Sequence, residues 1–70
     1  MKYFLAKLEN ANADITIFDH EPSFCESKEI TEQEALEALY NEIDPHKNYK
    51  IDDYKLIHSG SLNRYGITYA

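Results

Sequence analysis

The alternation of apolar and polar residues predicts strands in the first part of the chain. Residues 2–9 alternate with a period of two, which is typical of a strand, and residues 15–20 repeat this pattern. Between them, residues 10–14 (NANAD) are rich in turn-forming Asn and Asp, so the two segments predict a hairpin. Residues 24–30 (FCESKEI) alternate only weakly after Pro22 and indicate a short strand at a sheet edge.

Thr31 begins the segment with helical spacing. Its hydroxyl can cap a helix N-terminus, and Glu34 three residues later completes a capping box. Pro45 disfavours helical backbone at Asp44, so we expect the helix to end there. The apolar residues follow the spacing of one buried stripe: Ala35, Leu36, Leu39, Tyr40 and Ile43.

Two more alternating segments follow a polar stretch at residues 46–53, in which Tyr49 and Ile51 are candidates for inward packing. Residues 54–59 and 65–70 predict a second hairpin with a turn at residues 60–63. The order β-β-(β)-α-β-β predicts a single α+β domain over residues 1–70. In it, one amphipathic helix packs on one face of a small antiparallel sheet. The other face would be partly open to solvent or to a partner.

Negative charge is concentrated in the middle of the chain. The 70 residues have a net charge of −6, but residues 19–44 alone have a net charge of −8 and contain a single base, Lys28. An exposed helix usually interleaves Lys with Glu for about 0.2–0.5 kcal/mol per pair, and residues 31–46 contain no Lys. One interpretation is an ordinary solvated helix face. The other is a contact surface for a partner, made of Asp19, Glu21, Glu26, Glu29, Glu32, Glu34, Glu37, Glu42 and Asp44.

This pattern favours a small non-enzymatic protein that binds, and inhibits or modulates, a partner protein with a basic surface. Spaced carboxylates can occupy a groove made for nucleic-acid phosphates, so the surface would act as a nucleic-acid mimic. The acidic chain itself is unsuited to binding nucleic acid or a membrane directly. In size, acidity and lack of catalytic motifs, the chain is similar to small phage-encoded inhibitors of host defence, such as anti-CRISPR and anti-restriction proteins. This resemblance covers no motif and implies a nucleic-acid-targeting partner.

The last hairpin supplies a secondary contact group. Tyr and Arg are favoured interface anchors, although Tyr is also a good strand residue. The group consists of Tyr54, Arg64, Tyr65 and Tyr69, with Lys55 and His58 beside them. An exposed last strand at residues 65–70 could instead pair with a second copy in a homodimer, which would make the protein a self-associating structural or regulatory module.

No residue pattern predicts a catalytic residue, a metal or a cofactor. Asp19, His20, Glu21 and Cys25 lie close in sequence, but their spacing fits no closed metal site. Cys25 with His20 or His58 could imitate a nucleophile and its base, which makes a small metal- or thiol-dependent enzyme the third alternative. One cysteine allows no internal disulfide, and no apolar run is long enough for a membrane helix. We therefore expect a cytoplasmic protein.

Overall fold

A computed structural model describes residues 2–7 and 15–70. Its elements are β1 (Tyr3–Lys7), β2 (Ile15–Phe18), β3 (Ser27–Ile30), α1 (Glu32–Ile43), a 3₁₀ turn (Ile51–Asp53), β4 (Tyr54–Ser59) and β5 (Arg64–Tyr69). The strands form one five-stranded sheet in the order β3-β1-β2-β5-β4, and every neighbouring pair is antiparallel. The predicted α+β architecture is confirmed.

The first three strands match their sequence patterns with shorter bounds. β1 is described as far as Lys7, and the remainder of the predicted strand and the predicted turn at residues 10–14 lie outside the described residues. Only the last four residues of the weak segment form β3, which pairs with β1 from Tyr3 opposite Ile30 to Ala6 opposite Ser27. β3 lies at an edge of the sheet, as its pattern predicted.

The expectation that the last strand is exposed for pairing is wrong. β5 lies between β2 and β4. It pairs with β4 along its full length and also with β2 at two positions, where Tyr65 faces Ile17 and Arg64 faces Phe18. A strand at the chain terminus is not necessarily at the sheet edge, because strand order depends on pairings between distant segments. The second edge of the sheet is β4.

The ends of α1 are fixed by the residues that the sequence indicated. The Thr31 hydroxyl accepts a hydrogen bond from the Glu34 N–H at 3.2 Å, and the Glu34 carboxylate accepts one from the Thr31 N–H at 3.0 Å. The helix ends before Asp44. The prediction that Ile43 is buried is wrong, because it is 57% exposed. Tyr40, one turn earlier, makes the contact with the sheet, and its ring centroid lies 5.4 Å from that of Tyr54.

The core lies between α1 and one face of the sheet. Ile17 is fully buried there, packed with Tyr3, Ala35, Leu39 and Tyr65. The opposite face of the sheet is partly open, as expected. It carries a groove of about 510 Å³ whose lining includes Thr16, Ile57, Leu62, Arg64 and Gly66.

Candidate protein interface

The nine acids predicted to form a contact surface fall into two sets in the structure. One set has specific hydrogen-bond partners within the fold: Asp19, Glu34, Glu42 and Asp44. The other set is exposed and has no hydrogen bond that joins it to another element of the fold: Glu21, Glu26, Glu29, Glu32 and Glu37. The two sets therefore have to be considered separately as candidates for partner binding.

Asp44 is a buried carboxylate that fixes the end of α1. It is only 6% exposed and accepts hydrogen bonds from the Tyr49 N–H at 2.9 Å and from the Tyr40 hydroxyl at 3.4 Å. Burial acts to raise the pKa of Asp44, but the N–H groups of Tyr49 and Asn48 outweigh it and lower the pKa. The Tyr40 hydroxyl also donates to the Tyr49 carbonyl. Asp44 thus holds residues 44–49 against the helix and has little surface for direct contact.

Glu34 and Glu42 also make contacts that support the fold. Hydrogen bonds from the backbone and side chain of Thr31 lower the pKa of Glu34, because they stabilise its ionised form. Glu42 accepts a hydrogen bond from the Ile15 N–H at 2.7 Å, which joins the last turn of α1 to the start of β2. Charge reversal at either residue would therefore disturb the fold as well as any contact surface.

Asp19 contacts two histidines that lie far apart in sequence, at one end of the sheet. Its two carboxylate oxygens lie 2.6 Å from His20 Nδ1 and 3.1 Å from His58 Nε2. The hydrogen bond with His20 is the main reason why the pKa of Asp19 is lowered, and His58 adds to the effect. The spacing of 39 residues between Asp19 and His58 gave no sequence signal for this pairing.

This arrangement does not support the alternative of a small thiol- or metal-dependent enzyme. Cys25 is a free, partly buried thiol with no hydrogen bond to His20 or His58. In the part of the chain that the structure describes, no group of three or more His, Cys, Asp or Glu residues could hold a metal ion.

Three of the exposed acids line the β3 edge of the sheet. Glu26 directly precedes β3, Glu29 lies within it, and Glu32 is the first residue of α1, two residues after the end of β3. We call Glu26, Glu29 and Glu32 the acidic edge. Glu29 pairs with Phe4, which places it on the face away from α1. Glu32 lies on the helix side, where its charge adds to burial in raising the pKa of Tyr3.

These carboxylates have no cationic partner in the fold. Within residues 2–7 and 15–70, the ion pairs are those of Asp19 with His20 and His58, and no Lys or Arg lies within 4.0 Å of a carboxylate oxygen. Glu37, on the outer face of α1, accepts a hydrogen bond from the Gln33 side-chain amide at 3.4 Å. The negative charge is therefore not offset by a close ion pair, although Lys28 lies within β3 among these carboxylates.

The structure stacks the rings of Tyr54 and Tyr69, with centroids 4.7 Å apart, but it does not bring all four members of the secondary contact group together on one surface. Tyr54 and Tyr65 are each 9% exposed and belong to the packing between helix and sheet, whereas Tyr69 is 57% exposed. Arg64 is exposed and precedes Tyr65 in β5, so it lies on the opposite face of the sheet. Tyr69 also contacts Tyr49, which the sequence made a candidate for inward packing but which is 54% exposed.

Comparison with known proteins does not identify the chain. No family model, curated protein or solved structure matches it. Within the described residues, no helix has the length and apolar character that a membrane crossing requires.

Proposed function

We propose that this chain is a non-enzymatic protein that binds the basic surface of a partner protein through its acidic edge and so inhibits or modulates that partner. One observation carries the proposal. No Lys or Arg in the described residues pairs with a carboxylate, although the chain contains seven such bases.

Unpaired carboxylates on a small fold have a physical cost and a physical use. Like charges that are close together destabilise a helix slightly, and internal Lys partners would remove that cost. The same charges create a negative field that accelerates encounter with a basic surface and repels acidic competitors. The acidic edge provides such a field on both sides of one short strand, because Glu29 and Glu32 lie on different faces of the sheet.

The sharper form of the proposal makes the partner a nucleic-acid-binding protein of a defence system. A groove that binds phosphates accepts carboxylates at similar spacing. The resemblance to small phage-encoded anti-CRISPR and anti-restriction proteins makes cytoplasmic, nucleic-acid-targeting defence proteins the first partners to examine. In this form the acidic edge would compete with nucleic acid for the same basic groove.

The test compares two double substitutions that remove the same charge. Glu29→Gln with Glu32→Gln removes two of the three charges of the acidic edge, whereas Asp52→Asn with Asp53→Asn removes two exposed charges beside β4. The tagged protein is first used to capture a partner from a bacterial lysate at low and high salt, and mass spectrometry identifies that partner. Its affinity for each variant is then measured by titration calorimetry, with and without a short DNA or RNA duplex.

We expect the acidic-edge variant to bind at least about tenfold more weakly, the Asp variant to bind nearly as wild type, and high salt to weaken binding. A duplex that binds the same partner should displace the protein. Salt-independent binding, or equal losses in the two variants, would contradict the proposed role of the acidic edge. If the duplex does not weaken binding, the nucleic-acid-mimic form of the proposal is contradicted and the role of the acidic edge is not.

A further inference from the structure

The two edges of the sheet differ in how well they are protected against strand addition. β3 has four residues, including Lys28 and Glu29, and the acidic edge surrounds it. Short, charged edge strands are a common protection against pairing with another chain. β4 has six residues, with Leu56 and Ile57 at its centre and Lys55 near its start. Among the described residues it pairs with β5 alone, so its outer backbone groups are unpaired.

Ile57 is the exposed apolar side chain at the centre of this edge. It is 52% exposed and points to the face that α1 does not cover, where it lines the groove together with Leu62 and Thr16. Leu62, in the turn between β4 and β5, is 56% exposed. β4 therefore has an exposed apolar residue at its centre, whereas β3 has charged residues there.

The charge distribution allows a second copy at β4. Residues 54–70 contain Lys55 and Arg64 and no acid, and the neighbouring Asp52 and Asp53 precede β4, outside the residues that would pair. The acidic edge lies four strands away, which corresponds to roughly 19 Å at the usual strand spacing. Two copies joined through β4 would place their acidic edges at opposite ends of a ten-stranded sheet, where the repulsion between them is least.

We propose that β4 is a self-association edge, at which a second copy adds its own β4 in antiparallel orientation. The two-fold axis is perpendicular to the sheet and passes beside Ile57, because such an axis pairs residues that point to the same face. In this register Ile57 faces Ile57 of the second copy, Lys55 faces Ser59, and Leu56 faces His58. The register brings the two exposed isoleucines together and places no like charges directly opposite each other. A register centred on Leu56 would instead place Lys55 against Ile57.

This dimer does not depend on the proposed function, and it leaves both acidic edges free. The interface consists of one short strand from each copy, so it belongs to the small, weak class of protein contacts. Self-association between acidic chains should be unchanged or strengthened by salt, which screens their repulsion. Binding of a basic partner should be weakened by salt. The two proposals can therefore fail independently in the same buffers.

The first test is the molecular mass in solution from about 10 µM to about 1 mM, a range suited to weak interfaces, measured by sedimentation equilibrium. Ile57→Lys would place two lysines opposite each other across the axis, so we expect the dimer dissociation constant to rise at least about tenfold. Leu62→Lys adds the same charge at a residue of similar exposure away from the strand and should change it less than about twofold. Both positions are exposed, and thermal melting checks that both variants fold.

The second test determines the register. In a Cys25→Ser background, Ile57→Cys should form a disulfide-linked dimer on mild oxidation. Directly opposed residues of an antiparallel pair have Cα atoms about 4.5–5.5 Å apart, which a disulfide can span. Leu62→Cys should remain mostly monomeric. A monomeric wild type at every concentration, equal losses in the two lysine variants, or equal cross-linking of the two cysteine variants would each overturn the proposal.

Discussion

The two edges of one five-stranded sheet carry opposite kinds of surface. The acidic edge beside β3 presents carboxylates that no Lys or Arg neutralises, and it exposes little backbone because the strand is short. The β4 edge presents a longer strand with Ile57 exposed at its centre. The charge that protects β3 from strand addition is the same charge proposed to attract a partner. β4 itself contains no acid, since the exposed Asp52 and Asp53 precede it, and this leaves its edge open to backbone pairing.

The two edges nevertheless belong to one cooperative unit. β2 and β5 connect the two sides of the sheet through only two residue pairs, and one of them is Ile17 opposite Tyr65. Ile17 is also the largest fully buried side chain in the described residues, and it packs against Ala35 and Leu39 of α1. Packing at this residue therefore supports both edges together.

The largest expected effect comes from Ile17→Ala, which tests whether the two edges can be separated. The cavity should cost about 2–5 kcal/mol, a large part of the roughly 5–15 kcal/mol that stabilises a typical domain. We expect thermal melting to show unfolding at a much lower temperature, with partner binding and self-association lost together. Ile17→Val should cost only about 0.5–1.5 kcal/mol and keep both. Loss of one property alone would show that the edges fold as independent halves.

The second effect concerns the junction between the acidic edge and α1. Thr31→Ala removes the hydroxyl that caps the helix, at an expected cost of about 0.5–2 kcal/mol in the free energy of unfolding. In a chain of this size, each 1 kcal/mol lowers the melting temperature by roughly 4–8 °C. Glu32 lies on the first turn, so partner affinity should fall while self-association through β4 is unchanged.

Thr31→Ser keeps a capping oxygen and serves as the control for this substitution. It should melt close to wild type and bind the partner normally. A loss of self-association in Thr31→Ala greater than its loss of partner affinity would contradict the assignment of the two surfaces to different edges.

Local sequence signals predicted the elements better than their arrangement. The helix was correctly bounded because Thr31, Glu34 and Pro45 act on neighbouring backbone through short-range hydrogen bonds and sterics. Strand order depends on pairings between distant segments, so the period-two pattern of β5 did not reveal that it lies inside the sheet. Ile43 was misplaced because periodicity does not show where the sheet beneath a helix stops.

The candidate site was predictable in its charge and not in its geometry. Composition identified nine acids. Seven of them are exposed without a cationic partner in the described residues, and two of those seven, Glu34 and Glu42, accept a hydrogen bond from the backbone. Sequence could not show that Glu42 bonds to Ile15 or that Asp44 is buried against Tyr40 and Tyr49, since these contacts form only in the folded chain. The absence of Lys from residues 31–46 was the signal that indicated the surface charge, because it is a property of composition and does not depend on the fold.

The third effect depends on pH and concerns the link from β2 to β4 through Asp19. The pKa of Asp19 is lower in the folded chain than in the unfolded one, so the ionised carboxylate stabilises the fold. This stabilisation is complete above the unfolded Asp pKa of about 3.9 and is lost as the pH falls through the lower folded pKa. The cluster is partly exposed to solvent, so the effect should be smaller than that of the helix cap.

Urea unfolding of wild type and Asp19→Asn measures this contribution. The difference in unfolding free energy should have its full size at about pH 5. It should shrink toward zero as the pH falls through the lowered folded pKa, because residue 19 then becomes neutral in both proteins. Glu21→Gln, at an exposed neighbour without a hydrogen bond, is the control and should show little difference at any of these pH values. A difference that grows on acidification would contradict the lowered pKa.

The smallest expected effect decides whether the edge of β4 or the groove beside it receives a second copy. Gly66 faces Ile57 across the β4–β5 pair, and an added Cβ would lie 3.9 Å from the Ile57 Cγ2 atom, an ordinary contact. Its backbone φ is not positive, so Gly66→Ala should stabilise the fold by about 0.4–1 kcal/mol, measured by urea unfolding. Gly60→Ala, with no atom near its added Cβ, isolates the gain due to chain entropy.

The methyl group of Gly66→Ala occupies the groove and leaves the outer backbone of β4 free, so self-association should change less than about twofold. A tenfold loss in Gly66→Ala alone would mean that the second copy binds in the groove, and β4 would then differ from β3 in shape rather than in its capacity for strand addition.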